Sequence, residues 1–409
     1  MKKIAVLAVA VAVAGLLAGT PVQAEESGML EITGNVTTVT GWQRARAGRY
    51  IDATAGVLAD GLAVPAALGT EQFGFFLDQL EVDYAKSFGE NIRLRGDLDF
   101  MPITAAGAAT AGRVATGTGT GDFIIEQTYV AANIPVGNGA ELLVGRFNSG
   151  IGLDPVDRGE LSTVSFSSIH RLLLPHNVTG ARLGYDFSDQ FRWETFVVNN
   201  LGDNAPARGA VAGGNSTIPS FGFNATYSYG DEGNPSWTKL SGAAGPEHMV
   251  TRSNAHWSFL GDLAVRHAVN DAFTLGVEGA YRQDNAIAGD NNQYIAGTLQ
   301  GTYAFSDVWD GTLRYGYTWD LDGGTGAATA AATGISANGW FGPGLDNAGT
   351  GGLANGGVRH DLALATGYAI ADGARFGLEG RFDLTNPSAV ADGTAGQNLG
   401  LAGTFAYNF

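Results

Sequence analysis

The chain contains no cysteine. That excludes a disulfide framework, thiolate chemistry and a haem held through Cys-x-x-Cys-His. Proline is scarce, at 12 of 409 residues, and charged side chains are only 15%, while aromatic residues at 10% argue against a disordered polymer. Beyond the first two dozen residues no stretch approaches the length of continuous apolar sequence that a membrane-spanning helix needs. A β-barrel is not excluded by this, because its strands alternate too strictly to form apolar runs. Also missing are Gly-x-Ser-x-Gly, His-Glu-x-x-His and Gly-x-x-x-x-Gly-Lys-Ser/Thr, so the sequence does not read as an enzyme. His170 and His176 flank Pro175 at a spacing poorly suited to a metal, and Asp320-Leu-Asp-Gly-Gly324 lacks the later ligands of a calcium loop. Neither a metal nor a cofactor is expected. The formal charge of −17 argues against nucleic acid as a partner.

The first residues read as an export signal. Met1-Lys-Lys is a basic start, Ile4 to Ala18 is an apolar core, and Val22-Gln-Ala24 is a small-residue cleavage site before Glu25. Residues 1–24 are expected to be removed, leaving 25–409 as a single domain and, with Lys2 and Lys3 gone, taking the charge from −17 to −19.

Glycine is abundant, 62 of 409 residues, roughly twice ordinary usage, which suits tightly twisted strands and tight turns. The last eleven residues, Leu399-Gly-Leu-Ala-Gly-Thr-Phe-Ala-Tyr-Asn-Phe409, alternate with a period of two and end on an aromatic. Taken alone they suit a half-buried strand of a soluble sandwich as well as a membrane strand. Further alternating segments recur along the chain: near 30–42, 75–88, 91–101, 123–134, 141–147, 177–187, 191–199, 220–229, 254–267, 273–282, 294–305, 309–319, 358–370, 375–384 and 398–409. Short polar links such as Gly89-Glu-Asn91 and Ala371-Asp-Gly373 alternate with long ones such as 43–72 and 321–357. Two kinds of connection imply two sides, as in a transmembrane barrel with short periplasmic turns and long outer loops. Up-and-down order demands one more strand between 229 and 254, and Pro235 to Ala244 can supply it. The prediction is an all-β, closed antiparallel transmembrane barrel of sixteen strands.

The register of charge supports this. In Ile92 to Phe100, Arg93, Arg95, Asp97 and Asp99 oppose Ile92, Leu94, Leu98 and Phe100. In Arg375 to Leu384, Arg375, Glu379, Arg381 and Asp383 oppose Phe376, Leu378, Phe382 and Leu384. A one-residue slip would place these charges in lipid at about 2–4 kcal/mol for each Arg near the midplane, so they are assigned to the lumen. The same rule sends Arg146, Arg182, Arg192, Glu194, Arg282 and Arg314 inward, with Glu81, Asp83, Glu126, Asp186, Asp262, Arg266 and Glu278. Both signs occur in comparable numbers, which predicts no strong charge selectivity. Phe405, Tyr407 and Phe409 face outward and form the expected barrel-assembly end.

Residues 148–175 are too apolar for a loop in water and are expected to fold into the lumen. Ile151, Leu153, Phe166 and Leu172 to Leu174 would bury against the wall, presenting Asp154, Asp157, Arg158, Glu160, His170 and Arg171 to the opening. Here the residues resemble a family. Gly145-Arg-Phe147 with the glycines after it, Pro175-His-Asn-Val-Thr-Gly-Ala-Arg-Leu-Gly-Tyr185, Val197-Val-Asn-Asn-Leu-Gly-Asp-Asn204 and Gly242-Ala-Ala-Gly-Pro-Glu247 are similar to the β-barrel porin type 2 (OmpL-like) family of Gram-negative outer membranes. The resemblance implies a porin passing small hydrophilic solutes and ions by diffusion, with outer-membrane lipid, lipopolysaccharide and the barrel-assembly machinery as partners. By analogy with general porins a homotrimer is expected. Lys86 and Lys239 are the lysines left after cleavage, so a lysine-rich anion ladder is missing. The alternative reading is a barrel with an occupied lumen, serving as a scaffold or surface structural protein. On the channel reading, neutralising Arg158 and Arg171 shifts the reversal potential under a salt gradient toward cations; an unchanged potential would remove that segment from the pore.

Overall fold

A computed structural model of the chain describes residues 29–46, 71–101, 114–115, 122–199, 201, 219–231, 233–249, 255–285, 291–321, 358–385 and 397–409. The expected signal segment, 1–24, lies outside the described residues. Sixteen strands form the wall: β1 (Glu31–Arg46), β2 (Glu71–Phe88), β3 (Ile92–Met101), β4 (Asp122–Ile134), β5 (Ala140–Asn148), β6 (Asn177–Asp186), β7 (Phe191–Val198), β8 (Ser220–Tyr229), β9 (Ser236–Met249), β10 (Ala255–Ala268), β11 (Phe273–Asn285), β12 (Asn291–Ser306), β13 (Trp309–Asp320), β14 (Val358–Ala371), β15 (Ala374–Thr385) and β16 (Gln397–Asn408). A two-residue strand at Val114–Ala115 adds to the outer end of β4. The strand inferred from parity at Pro235 to Ala244 exists as β9 and runs on to Met249.

Every neighbour is antiparallel, and β1 pairs with both β2 and β16, so the sheet closes on itself. The seam runs from Asn35 opposite Asn408 to Arg46 opposite Gln397. Beyond it Gly34 N donates to Phe409 O at 3.0 Å, and Phe409 N to Gly34 O at 2.9 Å. Closure leaves no edge strand, the condition for spanning lipid with strands.

Polarity is inverted relative to a soluble fold. Val277, Leu299, Leu313, Leu364, Leu401 and Phe405 are exposed, whereas Glu81, Asp97, Asp262, Glu278, Arg314 and Glu379 are buried. Alternation puts apolar residues outside and polar ones inside on most strands. The turns at 89–91, 135–139, 187–190, 230–231 with 233–235, 269–272, 307–308 and 372–373 gather at one rim. Gly373 adopts φ +74° there, a left-handed conformation that favours glycine. Ring contacts mark this rim as an interfacial girdle: Tyr185 on Phe187, Tyr303 on Phe305, Phe305 on Trp309, and Tyr407 on Phe409. Phe409 lies in it, as read from its alternation.

Leu299 sits mid-strand on β12 with its side chain exposed. Leu299→Arg is expected to destabilise the barrel by about 2–4 kcal/mol in urea titration from lipid vesicles. An unchanged midpoint would show that this face does not meet hydrocarbon.

Candidate functional site

The segment between β5 and β6 runs along the inner wall. Its base is pinned where Ser149 N donates to His176 O at 2.6 Å and Ser149 Oγ to Pro175 O at 2.5 Å. Gly150 and Gly152 follow with φ of +72° and +104°, and a Cβ on Gly152 would sit 3.0 Å from Glu278 Oε1. Glycine at 152 therefore permits both the turn and the approach to the wall.

Inward side chains from seven strands would otherwise face water, and they bind the segment's polar groups instead. Asn224 on β8 donates to Ser149 O at 2.9 Å, and Lys239 on β9 donates to Gly150 O and Gly152 O at 2.7 and 2.9 Å. On β11, Glu278 accepts from Leu153 N at 2.9 Å and Arg282 donates to Leu173 O at 3.1 Å. Gln300 on β12 donates to Ser162 Oγ at 2.9 Å. Arg314 on β13 makes four bonds, to Thr163 Oγ1, Ser165 O, Ser165 Oγ and Phe166 O, at 2.6–3.0 Å. Asp361 on β14 accepts from Ser168 Oγ at 2.5 Å. Glu379 on β15 accepts from Val164 N, Ser165 N and Ser165 Oγ, while Arg381 donates to Ser165 Oγ at 2.9 Å. A backbone buried away from water requires partners, and charged ones give the stronger bonds.

Apolar residues complete the attachment. Ile151, Ile169, Leu173 and Leu174 join Phe147, Val178, Phe196, Leu260 and Tyr294 of the wall in one buried cluster. A single-turn helix, α1 (Ser168–Leu172), is capped by Ser167 Oγ, which accepts from His170 N at 3.2 Å. Leu153 is half-buried, and the side chain of Leu172 lies outside the described residues.

This changes several assignments made from strand parity. Arg282, Arg314, Glu379, Arg381 and Asp383 point inward as expected, yet they are covered by the segment or by one another. Asp383 accepts from Arg381 Nε at 3.0 Å and from Arg359 at 3.3 Å. His170 does not face the opening: it is buried, stacked between Phe166 and His176 at 4.3 and 4.1 Å. Asp154 is held by Ser167 N at 2.7 Å. Glu160 is exposed in the 3-10 turn Arg158–Glu160, which packs against β1 and β16. Burial first, then Glu126 and Glu160, raises the Asp157 carboxyl to about 7. The side chains of Arg158 and Arg171 lie outside the described residues.

Away from the segment, two charged groups line the wall. On β5 to β7, Arg192 pairs with Asp186 at 3.0 Å and with Glu141 and Glu194 at 3.2 Å, and Arg182 pairs with Glu141 at 3.4 Å. Two arginines here meet three carboxylates, so most of the ladder's charge is paired within it. On β2 to β4 the inward residues are Glu81, Asp83, Asp97, Asp99 and Glu126, and Arg95 pairs with Asp97 at 2.8 Å. Arg93 is exposed near the turn rim, and Arg146 Nε donates to Glu126 O at 3.1 Å. Comparable totals of the two signs therefore conceal local segregation. Parity did not single out Asn35, Gln79, Gln127, Asn224, Lys239, Gln300 or Asp361, although alternation carries most of them inward.

A closed wall of sixteen antiparallel strands, apolar outside and charged within, with a connection attached to its inner face, defines an outer-membrane β-barrel of the porin class. The chain belongs to the family described as "Putative beta-barrel porin-2, OmpL-like", whose model matches residues 30–409. No curated protein matches its sequence. Among solved structures it is similar to the outer membrane channel DcaP of Acinetobacter baumannii, with TM-score 0.58 and 14% identity over 96% of this chain and 100% of that one. It is also similar to an anion-selective porin from Comamonas acidovorans, with TM-score 0.56 and 11% identity over 93% and 100%. The trimer form of OmpT from Vibrio cholerae gives TM-score 0.54 and 11% identity over 94% and 100%. At these identities the likeness concerns the fold.

Arg314→Ala removes four bonds and leaves Ser165 O with Thr163 Oγ1 at 2.8 Å and Phe166 O with a long contact to Arg381 at 3.5 Å. The docking of the segment is expected to weaken by about 3 kcal/mol. Limited proteolysis should then cut between 155 and 166 in folded barrels and single-channel currents should become noisier; full protection would show that Arg314 is dispensable.

Proposed function

We propose that the chain forms a water-filled channel through which small hydrophilic solutes and ions diffuse passively, narrowed by residues 148–175. The observation that carries this reading is the attachment of that connection to inward side chains from β8 to β15, which leaves the segment inside the barrel. A charged inner wall suits aqueous solutes, and the self-paired ladder of Arg182, Arg192, Glu141, Glu194 and Asp186 supplies fixed charges of both signs along it. The role is conduction rather than catalysis.

The mature chain is taken to begin after Ala24, once the signal segment has been removed. Its exterior meets outer-membrane lipid and lipopolysaccharide, and the outward residues Phe405, Tyr407 and Phe409 of the last strand are assigned to recognition by the barrel-assembly machinery. A homotrimer is proposed by analogy, since OmpT of Vibrio cholerae, a relative in fold, has a trimer form.

Single-channel recording of the refolded mature chain in planar bilayers tests the reading. Discrete ohmic steps that scale with salt concentration are expected. Their absence from correctly folded barrels would favour the occupied-lumen scaffold and overturn the channel.

A further inference from the structure

The strongest unexplained feature is the carboxylate group on β2 to β4. Glu81 lies directly opposite Asp99, and Asp83 directly opposite Asp97, across the β2–β3 ladder. Like charges in register on one face destabilise a sheet, and here two such pairs stand side by side. A register shift between Asp97 and Leu98 leaves Glu126 without an opposite residue and turns both Glu126 and Gln127 inward. Bulges re-aim side chains in this way. One carboxylate oxygen each from Glu81, Asp99 and Glu126 lies within 4.8 Å of the others, and Glu81, Asp83 and Asp97 form a second such triad.

The side chains of the first triad are 1%, 2% and 4% exposed. Among the described side chains, Arg95 ion-pairs with Asp97 and leaves the Glu81, Asp99 and Glu126 triad without a paired cation. Uncompensated carboxylates this close and this buried cannot all stay ionised without a countercharge.

Two buried amides beside the triad carry oxygens without a partner. Gln79, 1% exposed, reaches into the triad: its Nε2 donates to Asp99 at 3.0 Å and to Glu81 at 3.3 Å, while its Oε1 has no partner. Asn35, 6% exposed, donates its Nδ2 to Glu81, and its Oδ1 is likewise unpartnered, as is Glu81 Oε1. A half-turn of either amide exchanges a donor for an acceptor without changing its shape. The group can therefore offer two amide carbonyl oxygens besides the carboxylates. Among the described residues the group offers oxygen ligands alone, and an all-oxygen set suits a hard divalent ion.

We propose that Glu81, Asp99 and Glu126, with Asn35 and Gln79, bind a divalent cation of the calcium or magnesium class on the inner wall. The ion ties β1, β2, β3 and β4 together and cancels their mutual repulsion. The site does not depend on conduction.

Isothermal titration of the refolded full barrel with calcium chloride, and separately with magnesium chloride, tests this. Saturable binding of one ion with a dissociation constant of about 10⁻³ M or tighter is expected. The isosteric double variant Glu81→Gln/Asp99→Asn should weaken it at least about tenfold, while Asp189→Asn in a distant turn should leave it unchanged. Folding of each variant is read from the heat-modifiable gel shift. No saturable binding by folded wild type, or equal binding by the double variant, would overturn the proposal. Conductance in potassium chloride without calcium reports on the channel separately, so the two ideas can fail independently.

Discussion

The structure depends on the seam between its first and last strands. A strand in hydrocarbon must place every backbone N–H and C=O on a neighbour, and a sheet with two free edges cannot do so. Pairing of β1 with β16 over Asn35 to Arg46, extended by the two Gly34–Phe409 bonds, removes both edges at once. Side-chain polarity follows from closure. Once an inside and an outside exist, alternation sorts residues between lipid and lumen, and a one-residue slip anywhere would exchange the two sets.

Closure also explains how the molecule tolerates so many buried charges. Beyond the apolar cluster around Phe147 and Phe196, the interior is a wall of charges and hydroxyls needing either water or polar partners. On β8 to β15 the partner is the chain itself. The backbone of the β5–β6 connection and the inward charges satisfy one another, as Arg314 does with Ser165 and Phe166 and Glu379 does with the amides of Val164 and Ser165. Much of the charge on that half is therefore structural. A count of inward charges overstates what a permeating solute meets.

Much of this was legible in the sequence because a period of two is a strong local signal. Strand positions, the missing β9, the seam and the inward face of residues such as Arg95, Arg182 and Arg381 all follow from alternation and the parity of connections. What alternation cannot convey is which inward residues another segment covers. His170 and Arg381 looked solvent-facing because nothing local to them records Phe166, His176 or Ser165 across the lumen. Bulges are the second blind spot. A shift between Asp97 and Leu98 puts Glu126 and Gln127 on the same side, which strict alternation forbids. Totals over the inward charges are the third, since opposite signs come close to balancing in a sum while separating in space.

That separation shapes the relation between segment and wall. The anchors lie on β8 to β15, and the 3-10 turn at 158–160 carries the segment past them onto the next two strands, β16 and β1. The turn brings Asp157 near Glu126, and burial with these neighbouring carboxylates raises it to about 7. The tip of the segment thus approaches the part of the wall where its own charge is least welcome. Docking energy gathered along β11 to β15 offsets this, because charge-assisted bonds from Arg282, Arg314, Glu379 and Arg381 outnumber the repulsive contacts at the tip. Attachment along β8 to β15 holds the segment against the inner wall despite repulsion at its tip. A cation bound among Glu81, Asp99 and Glu126 would relieve that repulsion, coupling occupancy of the wall site to the position of the constriction.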